Sequence, residues 1–343
     1  MKKRLIIAVH GRNGLCRKMP EAAETLGVSC KQVDTYGPEF HEQLEGCEAF
    51  LISLNHENPR DMLNGRIFLE ALETQGIKVF PSHASCWHFD DKFAQQELLR
   101  AINAPMPGGN MFFRRRDAME FLKTCEYPQV FKLRKGAGAI NVKLVRNEKE
   151  GRRLTERMFG RGIPQHPPME GLKRGVSRAK KNRVGKDPFA VRARRAGRLW
   201  LQKFFRRERE RGYVYFQEFI PDQTHDTRVT IIGDRAFVFR REVRENDFRA
   251  SGSGRIKYPA SNEIPHDMVD SAFEISRKLG FQSMAYDFVR HAETQQPLII
   301  EMCFTFNADA VAECPGYTTP DHQWVEGHFR PERCILEDLL ADA

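Results

Sequence analysis

The chain has 343 residues, of which 41% are hydrophobic, and a formal net charge of +9. These values exclude a disordered chain and allow two or three domains with well-buried cores. No apolar run reaches the roughly 20 residues of a membrane helix, and LIIAV in MKKRLIIAVHG is too short for a signal-peptide core, so no membrane span and a cytoplasmic location are expected. In chain order, RLIIAV (4–9) reads as a buried strand, EAAETLG (21–27) as a helix and EAFLISL (48–54) as a second strand. GRIFLEALETQG (65–76) is an amphipathic helix closed by Gly76, and IKVFPS (77–82) is a third strand stopped by Pro81. Together they predict a small parallel α/β domain over 1–85.

A central lobe over 86–150 follows. DDKFAQQELLRA (90–101) is a helix with Asp90 or Asp91 at its start, and 117–125 is a short helix. Strands 128–134 and 140–146 bracket the glycine loop KGAGA. Residues 151–211 differ in composition, with 20 Lys/Arg against 5 Asp/Glu, which leaves the rest of the chain at −6. The segment reads as a basic insertion or connection. Its second half has the pattern of a basic helix with Leu199, Trp200, Phe204 and Phe205 on or near one face. A last lobe over 212–343 opens with strands 213–220, 227–233 and 236–243, the last two joined by a tight turn at Asp234-Arg235. A helix over 263–280 ends on Gly280, strands 283–290 and 297–304 are joined by a polar loop, and ERCILEDLLA is a closing amphipathic helix. The eight cysteines form no CxxC pair, which points to reduced thiols rather than a zinc site or a disulfide framework.

Strands 283–290 and 297–304 each carry one carboxylate in an apolar run, Asp287 and Glu301. If the strands are antiparallel neighbours, the two acids share a face and must be paired or bound to a cation. Mg²⁺ and arginine are equally acceptable partners by this reading. Lys132 precedes Gly136, Ala137 and Gly138, small residues that let backbone N–H groups approach an anion, although a plain hairpin has the same pattern. There is no GxxxxGK[ST] and no strand–GxGxxG–helix. The strand end Gln217-Glu218-Phe219-Ile220 either offers main-chain groups to an adenine edge or is an ordinary half-buried strand. Asp226 and Arg228, with Arg241 and Arg249, form either a polyphosphate clamp or a solvated charged hairpin. His10, Arg12 and Asn13 follow the first strand, where α/β domains place ligands and where ordinary βα turns also lie.

In this order the motifs resemble one family, the ATP-grasp ligases, most closely the branch with the ribosomal-protein S6 glutamate ligase and glutathione synthetase. The matching features run from the first strands to Asn307. The ending AECPGYTTPDHQWVEGHFRPERCILEDLL also resembles uncharacterised ATP-grasp proteins of surface-polysaccharide loci. The resemblance implies a parallel α/β domain followed by two α+β lobes that grip nucleotide. It implies ATP contacts at Lys92 (after Asp91), Lys132, Gly136, Gly138, Gln217, Glu218, Phe219, Ile220, Asp226 and Ser251, the last standing where the family has Asn. Arg249 is implied at the phosphates, and Arg241 at the acylphosphate and the tetrahedral intermediate. One or two Mg²⁺, with Mn²⁺ able to substitute, are implied at Asp287 and Glu301. Cys303 replaces the family's Asn ligand, so Asn307 is the candidate substitute.

The implied activity joins a carboxylate to an amine through an acylphosphate, with an anionic glycan or peptide as a candidate acceptor. Asp287→Asn is then expected to abolish ADP formation and leave the fold intact. Two competing readings are a nucleic-acid-binding protein that uses 151–211 and an ATP-grasp protein that binds nucleotide without ligating.

Overall fold

The computed structural model describes residues 5–11, 14–56, 58–136, 141–165, 209–244, 247–250, 252 and 254–341. Arg12, Asn13, Gly138, Ser251 and the aromatic residues expected on the basic helix lie outside the described residues. By packing, the chain forms two compact units, one of Met1–Met106 with Ile220–Ala343 and one of Pro107–Phe219. These boundaries differ from the segments 1–85, 86–150, 151–211 and 212–343 read from sequence.

In the first unit, β1 (Ile6–His10), β2 (Ser29–Val33), β3 (Ala49–Ile52) and β4 (Lys78–Phe80) form a parallel sheet of order β2-β1-β3-β4. IIAV of β1 and AFLI of β3 are apolar because such a sheet is covered on both faces. The accompanying helices are α1 (Met19–Thr25), α2 (Phe40–Gln43), α3 (Arg66–Thr74), α4 (His83–Cys86) and α5 (Lys92–Ala101). β2 is absent from the sequence reading. Its SCKQV lacks a strand's apolar pattern, with the consecutive Lys31 and Gln32 both exposed on an edge strand.

Residues 107–219 carry β5 (Gly109–Phe112), α6 (Arg115–Thr124), β6 (Gln129–Lys132), β7 (Lys143–Val145), α7 (Glu148–Phe159), β8 (Ile163–Pro164), β9 (Arg209–Glu210) and β10 (Val214–Glu218). An antiparallel sheet of order β5-β10-β6-β7 shares its core with the two helices through Ala118, Leu122, Phe131, Val145, Met158 and Phe216. The start of the basic segment is therefore part of this core. Asn147 caps α7 by accepting from the Glu150 N–H at 3.0 Å. Gly151 is required at the helix contact, since a Cβ there would lie 2.5 Å from Leu122 Cδ2.

The chain then returns to the first unit with β11 (His225–Ile232), β12 (Arg235–Glu242), β13 (Ile256–Lys257), α8 (His266–Leu279), β14 (Ser283–Arg290), β15 (Pro297–Cys303), α9 (Ala308–Ala312), β16 (Gly316–Thr318), β17 (Trp324–Glu326) and α10 (Pro331–Leu340). The strands form an antiparallel sheet of order β15-β14-β11-β12-β16-β17, with β13 on β12. α8 buries Met268, Val269, Ala272, Phe273 and Ile275 as its stripe predicts, and ends on Gly280 at φ 65. Phe89 and Leu99 share one core with Val229, Phe273 and Phe304, while Ile7 and Val9 share another with Phe237 and Leu336. These two cores explain why the N-terminal α/β part is not a separate unit.

Candidate active site

The alternation of β-strands sorts the charged residues of the C-terminal sheet. Asp226 and Arg228 on β11, Arg241 on β12 and Asp287 on β14 meet on one face, because Asp226 lies opposite Arg241 and Arg228 opposite Asp287 in register. Arg228 donates from Nε and Nη2 to Asp287 Oδ1 and Oδ2 at 2.7 and 2.8 Å. Arg241 donates from Nε and Nη2 to Asp226 at 2.7 and 2.6 Å, and from Nη2 to Asp287 Oδ2 at 2.5 Å. Asp226 is 3% and Asp287 1% exposed. Burial works against ionised Asp287, but Arg228 and Arg241 outweigh it and hold the carboxyl at about 2. Burial and the nearby Asp287 charge push Asp226 up to about 6, against the pull of Arg241. Both arginines leave Nη1 without a hydrogen bond among the described residues.

Glu301 lies opposite Asp287 across β15, as expected of antiparallel neighbours, at an irregularity between Asp287 and Phe288. Cys303 Sγ is 3.1 Å from Thr305 Oγ1, and burial pushes its thiol up to about 11. Asn307 is the N-cap of α9, its side-chain oxygen accepting from the Asp309 and Ala310 N–H groups at 3.2 and 3.4 Å. As a metal centre these residues do not fit. Asp287 is committed to two arginines, Asn307 to a helix end and Cys303 to a neutral thiol. Among the described residues no group of three or more His, Cys, Asp or Glu is placed to hold a metal ion. Arginine pairing, one of the two readings of Asp287, is present in the structure, and Asn307 serves as a helix cap.

Elsewhere in this unit, Asp91 caps α5 by accepting from the Phe93 and Ala94 N–H groups at 3.1 Å each, which puts Lys92 at the first helical position. Arg249 pairs with Asp247, Nη2 to Oδ2 at 2.7 Å, and stands 6.0 Å from the Phe248 ring. His10 accepts from the Thr35 N–H at 3.0 Å and sits edge-on to Tyr36. Ile220 packs with Val289 and Leu298.

Within 107–219, Lys132 Nζ donates to Gln217 Oε1 at 2.6 Å between neighbouring strands β6 and β10. The Glu218 N–H donates to Gly108 O at 2.7 Å, and Glu218 Oε2 accepts from the Gly108 N–H at 3.0 Å. The strand end expected at the adenine thus has the Glu218 donor already in use, and Phe219 is the last residue of the unit. Gly136 takes φ 112, a left-handed conformation that suits glycine. The start of its loop is anchored by Glu210, 8% exposed, which accepts from the Arg134 and Lys135 N–H groups at 3.1 and 3.2 Å and from the Tyr213 hydroxyl. Sequence reasoning missed Glu210. In RERERGY it reads as one more charge of a basic run, and only the adjoining Tyr213 marks it out.

No protein-family model and no curated protein matches the chain. Solved structures do. The ATP-grasp ligase PsnB, complexed with a minimal precursor, is 16% identical over 99% of both chains with a TM-score of 0.60. N5-carboxyaminoimidazole ribonucleotide synthetase from Thermotoga maritima is 14% identical over 98% of this chain and 76% of that one, with a TM-score of 0.59. D-alanine–D-alanine ligase from Bacillus anthracis, complexed with ATP, is 12% identical over 92% and 90%, with a TM-score of 0.54. The chain has the ATP-grasp fold.

Proposed function

We propose that the chain is an ATP-dependent carboxylate–amine ligase. The observation that carries this reading is an ATP-grasp fold that bears a gathered set of charged residues among those the motifs single out. Lys132 stands on the strand before the glycine loop, Arg228 and Arg241 are gathered on one sheet with Asp226 and Asp287, and Glu301 lies opposite Asp287. In the proposed reaction a carboxylate oxygen attacks the γ-phosphorus of ATP, the bond to ADP breaks, and an acylphosphate forms. The amine nitrogen then attacks the acyl carbon, the bond to phosphate breaks, and the amine proton passes to solvent. Positioning and electrostatics supply most of such catalysis. In Pro107–Phe219 Lys132 offers a cation to phosphate. Within the other unit the unspent Nη1 groups of Arg228 and Arg241 are donors for oxygens that gain charge, with Lys92 a further candidate phosphate cation. Asp226 and Asp287 are positioning residues that fix the guanidinium planes. Mg²⁺ belongs to this reading as part of the MgATP substrate.

Free thiols at all eight cysteines support a reducing compartment. No described helix is long and apolar enough to cross a membrane. The basic excess of 151–211 supports an anionic acceptor, a glycan or a peptide. The test is ADP release from MgATP across a panel of carboxylates and amines, preceded by a thermal-shift titration with ATP. ADP formation that requires both co-substrates is the expected result. A second reading, nucleotide binding without ligation, is favoured by the arginine pairing of Asp287 and by Cys303. A thermal shift with ATP but no turnover on any panel member selects it. No shift with ATP overturns both.

A further inference from the structure

The sheet that carries the arginine–carboxylate network has a second face. Thr227, Arg240 and Phe288 lie in register across β11, β12 and β14, each one residue from a member of the network, and so point to the opposite side. There they line a cavity of about 390 Å³, within the range of small-molecule sites. We propose that this cavity binds a small organic anion, a carboxylate or phosphate head on a compact apolar body, at a site separate from the proposed ligase chemistry.

Two observations, at Arg240 and Thr227, point to an anionic head group. Arg240 spends one donor on Glu263 O at 3.3 Å and forms no ion pair among the described residues. Thr227 is 4% exposed, and its hydroxyl, on the cavity wall, has no hydrogen-bond partner among the described residues and is available to a head group. The first turn of α8 adds Pro265 and Met268 to the wall, and its end is answered by Asp267, which accepts from the Met268 N–H at 3.0 Å and pairs with Arg290 of the cavity wall at 2.7 Å. His225 completes the polar side. Burial lowers its imidazole below the ordinary value and Arg240 adds to this, with Glu242 opposing. The apolar body follows from Phe288 and Met268, both buried. Asp222 stands at the exposed rim, so attraction for an anion is strongest at the Arg240 end.

The inference does not rest on the ligase reading, because no residue of the cavity has a role in that chemistry. The test uses the full chain, with inorganic phosphate, phenyl phosphate and phenylacetate as probes in isothermal titration at constant ionic strength. Either aromatic anion should bind more tightly than phosphate, and the better of the two names the head group. Arg240→Gln should weaken it at least about tenfold, the loss of a hydrogen bond to a charged group. Thr227→Val, which keeps the side-chain shape, should weaken it severalfold, so the test survives if the arginine variant misfolds. Binding should persist in Lys132→Ala and under saturating ATP. Failure of both aromatic probes to bind at millimolar concentration, equal affinity in both cavity variants, or competition by ATP would overturn the proposal.

Discussion

On the C-terminal sheet, two carboxylates answer two guanidiniums, so the network of Asp226, Arg228, Arg241 and Asp287 sums to zero while nearly excluded from water. In Pro107–Phe219 the corresponding cation, Lys132, donates to the side-chain amide oxygen of Gln217 across neighbouring strands, a contact that orients the ammonium. The difference separates two uses of charge. A closed, buried network holds geometry and is costly to break, whereas a cation on the strand leading into a glycine loop is placed to meet an incoming anion. The same change of one charged residue should therefore read out as lost stability in one unit and as lost binding in the other.

The largest effect is expected from Asp287→Asn. It leaves Arg228 and Arg241 short of a buried counter-charge and should cost about 3–5 kcal/mol in urea unfolding. This revises the expectation of an intact fold, and a variant as stable as wild type would break the comparison. Lys132→Ala should keep most of the stability and lose the ATP-dependent gain. In wild type that gain is about 2.7 kcal/mol at a hundredfold excess over Kd. A full thermal shift with ATP in the variant would move the nucleotide elsewhere. Glu210→Gln replaces a charged acceptor with a neutral one and should cost about 1–2 kcal/mol. Faster hydrogen exchange at the Arg134 and Lys135 amides would show that the effect is local to the loop, and unchanged exchange there would deny Glu210 its anchoring role.

The smallest effect is one of pH. Asp226 titrates at about 6 in the folded chain, above its ordinary 3.8. The folded state therefore binds the proton more tightly than the unfolded state, and this contribution to stability rises as pH falls from about 6 towards 3.8. Protonated Asp226 resembles asparagine, so the Tm difference between wild type and Asp226→Asn should narrow between pH 7 and pH 5. A constant gap across that range would place the Asp226 pKa outside it.

Several of these features were legible before any coordinates. Asp287 and Glu301 stood out because carboxylates inside apolar strands must be explained, and their strands do pair antiparallel with the two acids opposite each other. The stripe of α8 and the Asp91 cap of α5 were written in local periodicity. What bound Asp287 was not. Its partners come from β11 and β12, and sequence spacing does not say which face of a strand a distant arginine will share. α7 was hidden for a different reason. Its arginines and glutamates resemble the basic run that follows, and the Asn147–Glu150 cap was the signal passed over. The division into units was unreadable because it depends on cores assembled from both ends of the chain.

That last arrangement imposes an order on synthesis. Pro107–Phe219 is one uninterrupted stretch, complete once its last strand has left the ribosome. The other unit waits for the final helix, since Ile335 and Leu336 of α10 close the core that holds Ile7, Val9 and Met19. During translation the first hundred residues must therefore wait with part of their apolar surface unmatched while the middle of the chain matures. A stop in translation between Phe219 and α10 would release a polypeptide with a finished centre and an unfinished beginning, a ready target for chaperones and proteases.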